Sequence, residues 1–154
     1  MKLRQITFSA GIITLILSSA TSAQEFTQNP SFGSTSLDAG FTPDPYTVNL
    51  TSGGNIDAKD LGGDCTGWIA DAPDYRLIYK AGALPLIITV ESDVDTTLII
   101  NTPNGNWLCD DDGGGDLDPE VKLSKPRSGQ YDIWVGTYNN SSLEPAILKF
   151  SEVE

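Results

Sequence analysis

The stretch LIINTPNGNWLCD, residues 98–110, decides the fold class because it sets a turn sequence between two short apolar runs. Asn104-Gly105 is the strongest short-range signal for a β-hairpin, and the flanking residues are of the types that strands favour. We predict a hairpin with its two-residue turn at this dipeptide. That register pairs Ile100 with Cys109. It also places Asp95, before the first strand, next to the aspartates that follow the second strand.

Strand patterns continue along the rest of the chain from Tyr46 onward. The runs alternate polar and apolar residues or are rich in β-branched ones, and Gly, Pro, Asn and Asp separate them. They are YTVNL (46–50), DYRLIYK (74–80), LPLIITVES (84–92), TTLIIN (96–101), GQYDIWVGT (129–137) and AILKFS (146–151). No segment carries an apolar stripe of helical period over about eleven residues. The sequence therefore predicts an all-β chain, with about seven to nine short strands in a jelly-roll-like antiparallel β-sandwich.

The N-terminal residues have the pattern of a secretory signal peptide. Two basic residues open the chain, an apolar run follows, and small residues lead to a cleavage site near Ala23. The apolar run is shorter than the roughly 20 residues that a bilayer requires, although a retained signal anchor is the alternative. We predict a signal peptide over residues 1–23 and a mature protein that is secreted or periplasmic, with no membrane attachment. An irregular arm or linker would cover residues 24–45, and a single sandwich domain residues 46–154.

The balance of charge and the cysteine content bound the function further. The chain has 9 Lys and Arg against 21 Asp and Glu, a formal net charge of −12. Such an acidic surface repels nucleic acid and anionic lipid, since both require clustered Lys and Arg. The two cysteines of the sequence are Cys65 and Cys109. In an oxidising compartment we predict that they form a disulfide.

The residue types also argue against an enzyme. The sequence contains no histidine, so neither a Ser-His-Asp nor a Cys-His arrangement can form. An aspartic protease motif after Val94-Asp95-Thr96 would need a glycine at Thr97 and a second carboxylate from elsewhere. We therefore predict no catalytic residues. The alternative is a protease or glycosidase, or a hydrolase accessory subunit, that uses aspartate carboxylates.

The stretch WLCDDDGGGDLD, residues 107–118, combines five aspartates with three consecutive glycines. Calcium takes about six to eight oxygen ligands, and a glycine-rich loop can fold carboxylates around one ion. The loop is not an EF-hand, because Val121 stands where the bidentate glutamate is needed. The predicted ligands for Ca²⁺ are Asp95, Asp110, Asp111, Asp112, Asp116 and Asp118. The alternative is a solvated acidic loop that binds no ion.

Trp134 is a candidate ligand-contact residue. It is opposite in phase to Tyr131, Ile133 and Val135, so it would lie on the outer face of its strand. An exposed aromatic ring in that position could stack on a sugar. A buried tryptophan that packs against the sheet is the alternative.

Several motifs in order resemble a group of small secreted bacterial β-sandwich proteins. These motifs are GGDCTGWI (62–69), PDYRLIY (73–79), DTTLIINTPNGNWLCDDD (95–112), DPEVKL (118–123) and SGQYDIWVGTY (128–138). More distantly, the chain is similar to the pre-peptidase C-terminal domain, a jelly-roll-like module attached to secreted hydrolases. The resemblance implies a noncatalytic module, often calcium-stabilised and sometimes bound to polymeric substrate. A peptidase label in this group can come from neighbouring domains.

Taken together, these patterns predict a secreted noncatalytic β-sandwich module for binding or interaction at the cell envelope or outside the cell. Its partner would be a protein or a glycan. The runner-up is the aspartate hydrolase or hydrolase subunit, and a structural surface protein is the third hypothesis.

Overall fold

The structure, a computed structural model, describes residues 26–153 and consists of two β-sheets packed face to face. The strands in this range are β1 (Ser34–Asp38), β2 (Tyr46–Ser52), β3 (Ile56–Asp57), β4 (Trp68–Ile69), β5 (Tyr75–Lys80), β6 (Leu86–Glu91), β7 (Thr96–Asn101), β8 (Trp107–Asp110), β9 (Glu120–Leu123), β10 (Gly129–Thr137) and β11 (Glu144–Ser151). A short 3-10 helix, Ala58–Leu61, lies between β3 and β4. The predicted β-sandwich is confirmed.

One N-terminal prediction concerns residues that the structure does not describe. The predicted signal peptide, residues 1–23, lies outside the described residues. Within residues 26–153, no helix is long and apolar enough to cross a membrane.

Strand β10 is the centre of the first sheet. One edge of β10 pairs with β7, and β7 pairs in turn with β8. The other edge pairs with β5 at the start of β10 and with β4 at the end of β10. Strand β3 extends β4, and β1 extends β5 as a parallel neighbour. The second sheet has the order β2-β11-β6-β9 and is antiparallel throughout.

The main core lies between the two sheets and is filled by side chains that alternate inward along each strand. Its fully buried members include Leu77, Leu86, Ile88, Leu98, Ile100, Ile133, Val135, Leu148 and Phe150. The Phe150 ring lies 6.1 Å from the Tyr75 ring and 6.3 Å from the Tyr46 ring. Each such side chain stabilises the fold by about 1.5–3 kcal/mol through burial of apolar surface.

A second apolar cluster covers the outer face of the first sheet. Its buried members are Ala58, Cys65, Ile69, Ile99 and Trp134. The 3-10 helix and the loop after it lie over this face, and the predicted Cys65–Cys109 disulfide, which is confirmed, holds them there. Trp134 is fully buried, 5.3 Å from the Trp107 ring. It faces away from the main core as predicted, but the disulfide-bonded loop covers it, so its predicted contact with a ligand is wrong.

The β7–β8 hairpin forms as predicted, but its register differs by one residue. Ile99, not Ile100, pairs with Cys109. The Gly105 N–H donates to the Thr102 carbonyl at 2.8 Å, and Gly105 has a φ of +79°. The asparagine before it does not share that positive φ, which a two-residue primed turn requires. A proline after Thr102 suits a type I turn instead, and the glycine completes a three-residue loop.

Residues 24–45, predicted to be an irregular arm, contain a strand. Strand β1 lies in this interval and pairs along its length with β5. Leu37 is buried in the main core, and the Arg76 guanidinium donates to the carbonyls of Phe26 and Gln28 at 2.8 and 3.0 Å. The sequence pattern missed the strand because one buried apolar side chain among Ser, Thr and Asp gives no readable period.

Candidate functional site

Three connections between the two sheets meet at one end of the sandwich. The connections from β6 to β7, from β8 to β9 and from β10 to β11 all lie at this end. They touch one another, because the Tyr138 N–H donates to the Asp95 carbonyl at 3.0 Å and the Thr96 N–H donates to the Leu117 carbonyl at 3.4 Å. We name this region the acidic loop end and define it as residues 91–95, 110–120 and 138–144.

The acidic loop end carries a dense negative charge. Its carboxylates are Glu91, Asp93, Asp95, Asp110, Asp111, Asp112, Asp116, Asp118, Glu120 and Glu144, and the three segments contain no Lys or Arg. One cation from outside them, Lys149, forms an ion pair with Glu91. Clustered charges of one sign create a potential of several kT that attracts groups of the opposite sign.

The β8–β9 loop is held by its own carboxylates. Asp110 Oδ2 accepts hydrogen bonds from the N–H groups of Gly113 at 2.7 Å and Glu120 at 2.9 Å. A Cβ on Gly113 would lie 2.6 Å from Asp110 Oδ2, so a larger residue there would displace this carboxylate. Asp118 Oδ1 accepts from the Ser92 N–H at 3.3 Å and ties the loop to the β6–β7 connection. Two of the predicted calcium ligands thus hold the backbone of the loop.

Asp95 lies beside the other aspartates of the acidic loop end. Burial raises its pKa, and the carboxylates of Asp112 and Asp111 raise that pKa further. Asp95 Oδ2 accepts a hydrogen bond from the Asn139 amide at 3.3 Å. Asp95 Oδ1 is buried and has no hydrogen-bond partner among the described residues. A buried polar atom without a partner costs about 1–3 kcal/mol.

A small cleft of about 160 Å³ opens beside this carboxyl group. Its lining residues are Val94, Asp95, Thr137, Asn139, Asn140, Ser142 and Glu144. The rim is ordered, because the Thr137 hydroxyl donates to the Asn140 carbonyl at 2.5 Å and the Ser142 N–H donates to Asn140 Oδ1 at 2.8 Å. The cleft therefore combines two carboxylates with amide and hydroxyl groups, and it is large enough for one side-chain head group.

The six aspartates predicted as calcium ligands all lie at or beside this end, but they do not form a ready cage. Asp95 is close enough to Asp111 and Asp112 for their charges to raise its pKa, whereas Asp116 is exposed in a turn at φ +56°. In residues 26–153, no group of three or more acidic side chains is placed to hold a metal ion. Calcium binding stays a prediction.

Three large apolar side chains are exposed among these carboxylates. Leu117 is 52% exposed, Tyr138 39% and Leu143 67%. They were not predicted from the sequence, although each stands as a lone apolar residue between polar ones in a loop. Exposed apolar groups rimmed by charged residues are typical of surfaces that bind other proteins.

The buried carboxylates elsewhere serve the fold. Asp74 accepts a hydrogen bond from a backbone N–H of β10 at 2.7 Å, and burial raises its pKa to about 7. Asp132 forms a buried ion pair with Arg76 at 2.6 Å. Glu152, which directly follows β11, accepts a hydrogen bond from the Tyr79 hydroxyl at 2.5 Å. These groups face packed protein, and none of them lines the cleft at the acidic loop end.

Fold and loops together define a disulfide-bonded β-sandwich with one strongly acidic end. No protein-family model matches the chain, and no curated protein matches it. Among solved structures, the chain is similar to the crystal structure of PliG of Aeromonas hydrophila, a periplasmic lysozyme inhibitor of g-type lysozyme. The two are 16% identical with a TM-score of 0.44, and the match covers 77% of this chain and 96% of PliG.

Proposed function

We propose that the protein is a noncatalytic binding module of the cell envelope or the extracellular space, and that its acidic loop end binds a cationic protein. The observation that carries the proposal is the gathering of ten carboxylates and no basic residue in three adjoining loops, around the cleft beside Asp95. The Cys65–Cys109 disulfide supports a location outside the cytoplasm, because such bonds persist in oxidising compartments.

The cleft beside Asp95 has the chemistry to hold a Lys or Arg head group of the partner. Asp95 and Glu144 supply negative charge, and Asp95 Oδ1 lacks a donor among the described residues. A guanidinium or ammonium group brings several N–H donors, and charge-assisted hydrogen bonds are about twice as strong as neutral ones. Such a group would bring donors and positive charge to the cleft, which favours the ionised form of the Asp95 carboxylate.

The three exposed apolar residues of the acidic loop end would supply the second part of the affinity. Leu117, Tyr138 and Leu143 lose contact with water when a partner covers them, at about 25 cal/mol per Å² of apolar surface buried. The surrounding charge speeds association with a cationic partner and sets its orientation. A glycan partner has less support, because Trp134 is buried.

Fluorescence anisotropy with a labelled peptide that contains both Arg and Leu tests the proposal. Asp95→Asn/Glu144→Gln should weaken binding about tenfold, or about 1.4 kcal/mol. The control variant Asp38→Asn/Asp60→Asn removes the same charge from exposed positions outside the acidic loop end and should bind like the wild type. Affinity should fall as salt is added. Equal affinity in all three proteins would overturn the proposal.

A hydrolase is the second candidate function, and the raised pKa of the Asp95 carboxyl favours it. A carboxyl with a raised pKa beside a second carboxylate, here Glu144 in the same cleft, is what acid–base hydrolysis requires. We expect no hydrolysis of casein or common glycans by the purified protein. Activity that appears in the wild type and disappears in Asp95→Asn would assign this end to catalysis.

A further inference from the structure

We propose that the opposite end of the sandwich holds a second binding site, for a small apolar group that carries a carboxylate. The site is a cleft of about 160 Å³ between the β7–β8 turn and the β9–β10 connection. Its lining contains two cations, Lys125 and Arg127, and no carboxylate. In a chain with 21 Asp and Glu against 9 Lys and Arg, this is a local reversal of charge.

The two cations at this cleft are free to meet a ligand. Both side chains are exposed, and neither forms an ion pair with any residue in the range 26–153. An unpaired guanidinium can hold a carboxylate through two parallel hydrogen bonds, and a neighbouring ammonium adds a second charge. The mouth of the cleft is therefore suited to a carboxylate.

The position of Arg127 is fixed by the core. The Tyr131 hydroxyl accepts a hydrogen bond from the Arg127 N–H at 3.0 Å and donates to the Arg127 carbonyl at 2.8 Å. Tyr131 itself is 1% exposed, so it anchors the β9–β10 connection to the interior. A loop already held in place loses less entropy when a ligand binds.

The inner part of the cleft is apolar. Its apolar lining residues include Leu108 of β8 and Leu123 of β9, so both sheets contribute to the cleft. The volume of about 160 Å³ is sufficient for one small ring or branched aliphatic group. Asn104 and Asn106 also line the cleft, and their side-chain amides can supply N–H donors.

This lining favours an amphiphilic anion as the ligand, because it combines apolar side chains with two cations and amide donors. A ring or branched aliphatic group would fill the cleft, and its carboxylate would meet Lys125 and Arg127 at the mouth. The carboxylate can belong to a free acid or to the C-terminus of a peptide that ends in an apolar residue. This site is independent of the acidic loop end, because it lies where the strands meet the other set of turns.

Two-dimensional ¹H–¹⁵N NMR titration of the disulfide-bonded protein tests the site. The probes are benzoate for the free acid, N-acetylphenylalanine for a peptide C-terminus and benzamide as the uncharged equivalent. Shifts should be confined to residues 102–108 and 123–131. Lys125→Gln/Arg127→Gln should raise the Kd of the bound probe about tenfold through loss of two charge-assisted contacts. Lys59→Gln, which removes an exposed cation from the 3-10 helix, should leave it unchanged.

Spectra that superpose outside the cleft will show that each variant is folded. Saturation by benzoate alone supports a free acid as the ligand, and saturation by N-acetylphenylalanine alone supports a peptide C-terminus. The proposal is overturned if neither acid binds, if benzamide binds as tightly as benzoate, or if the Lys125→Gln/Arg127→Gln variant binds like the wild type.

Discussion

Replacing Asp74 by Asn tests how burial controls a charge in this fold. Asp74 is 2% exposed, and its carboxyl accepts a hydrogen bond from the Val135 N–H at 2.7 Å. Burial raises its pKa from 3.8 to about 7, although the hydrogen bond from Val135 acts in the opposite direction. Because desolvation is the larger effect, the native state holds this group as a neutral acid at mildly acidic pH, where the unfolded chain ionises it.

The direction of the pH dependence follows from proton binding. Between about pH 4 and about pH 7 the native state binds the Asp74 proton more strongly than the unfolded state, so the free energy of unfolding falls as pH rises. Over the whole window the loss from this carboxyl is about 4 kcal/mol, at about 1.4 kcal/mol per pKa unit. More than half of that loss falls between about pH 5 and about pH 8. The Asp74→Asn variant keeps an oxygen for the Val135 N–H but has no group to ionise.

Urea unfolding of the wild type and the variant at about pH 5 and about pH 8 measures this effect. The stability of Asp74→Asn relative to the wild type should increase by roughly 2–3 kcal/mol between the two conditions. Asp60→Asn, at an exposed position, is the matched control and should show no such increase. A change below about 0.5 kcal/mol for Asp74→Asn would refute the reasoning that burial keeps this carboxyl neutral.

The disulfide and the acidic loop give two further predictions. Cys65→Ser should lower the free energy of unfolding by about 4 kcal/mol, because the bridge closes a loop across a sequence separation of 44; equal urea midpoints for variant and wild type would contradict this. Millimolar Ca²⁺ should raise the Tm in calorimetry by about 3–6 °C, and Asp112→Ala should abolish the rise. The calcium effect should fade as pH falls toward about 4, since the carboxylates must be ionised to bind. Identical curves in EDTA and in calcium would identify the stretch as a solvated acidic loop.

The sandwich was predictable because local signals agree along most of the chain. Alternation in β5 and β10 shows which side chains face the core, and the turn residues mark where strands end. The register of the β7–β8 hairpin was not predictable from its dipeptide alone. A proline two residues before Gly105 favours a type I turn, and this competing preference lengthens the loop by one residue.

The candidate site was only partly predictable. Five aspartates in one short stretch are visible in the sequence, but Asn139 and Glu144 reach Asp95 only through the order of strands in the two sheets. Trp134 shows the same limit, because its phase on β10 follows from the sequence while its burial depends on a disulfide-bonded loop that crosses the sheet. Contacts between distant segments have no local signature in composition or period.

Chemical-shift mapping of the labelled protein with the peptide that contains Arg and Leu shows whether the acidic loop end is the surface that binds a cationic protein. If the peptide binds at the acidic loop end, we expect the shifts to concentrate at residues 93–95, 110–118 and 138–144. Added salt should reduce these shifts. Shifts that are absent there, or that fall mainly on the outer face of the second sheet, would contradict the claim that this end is the binding surface.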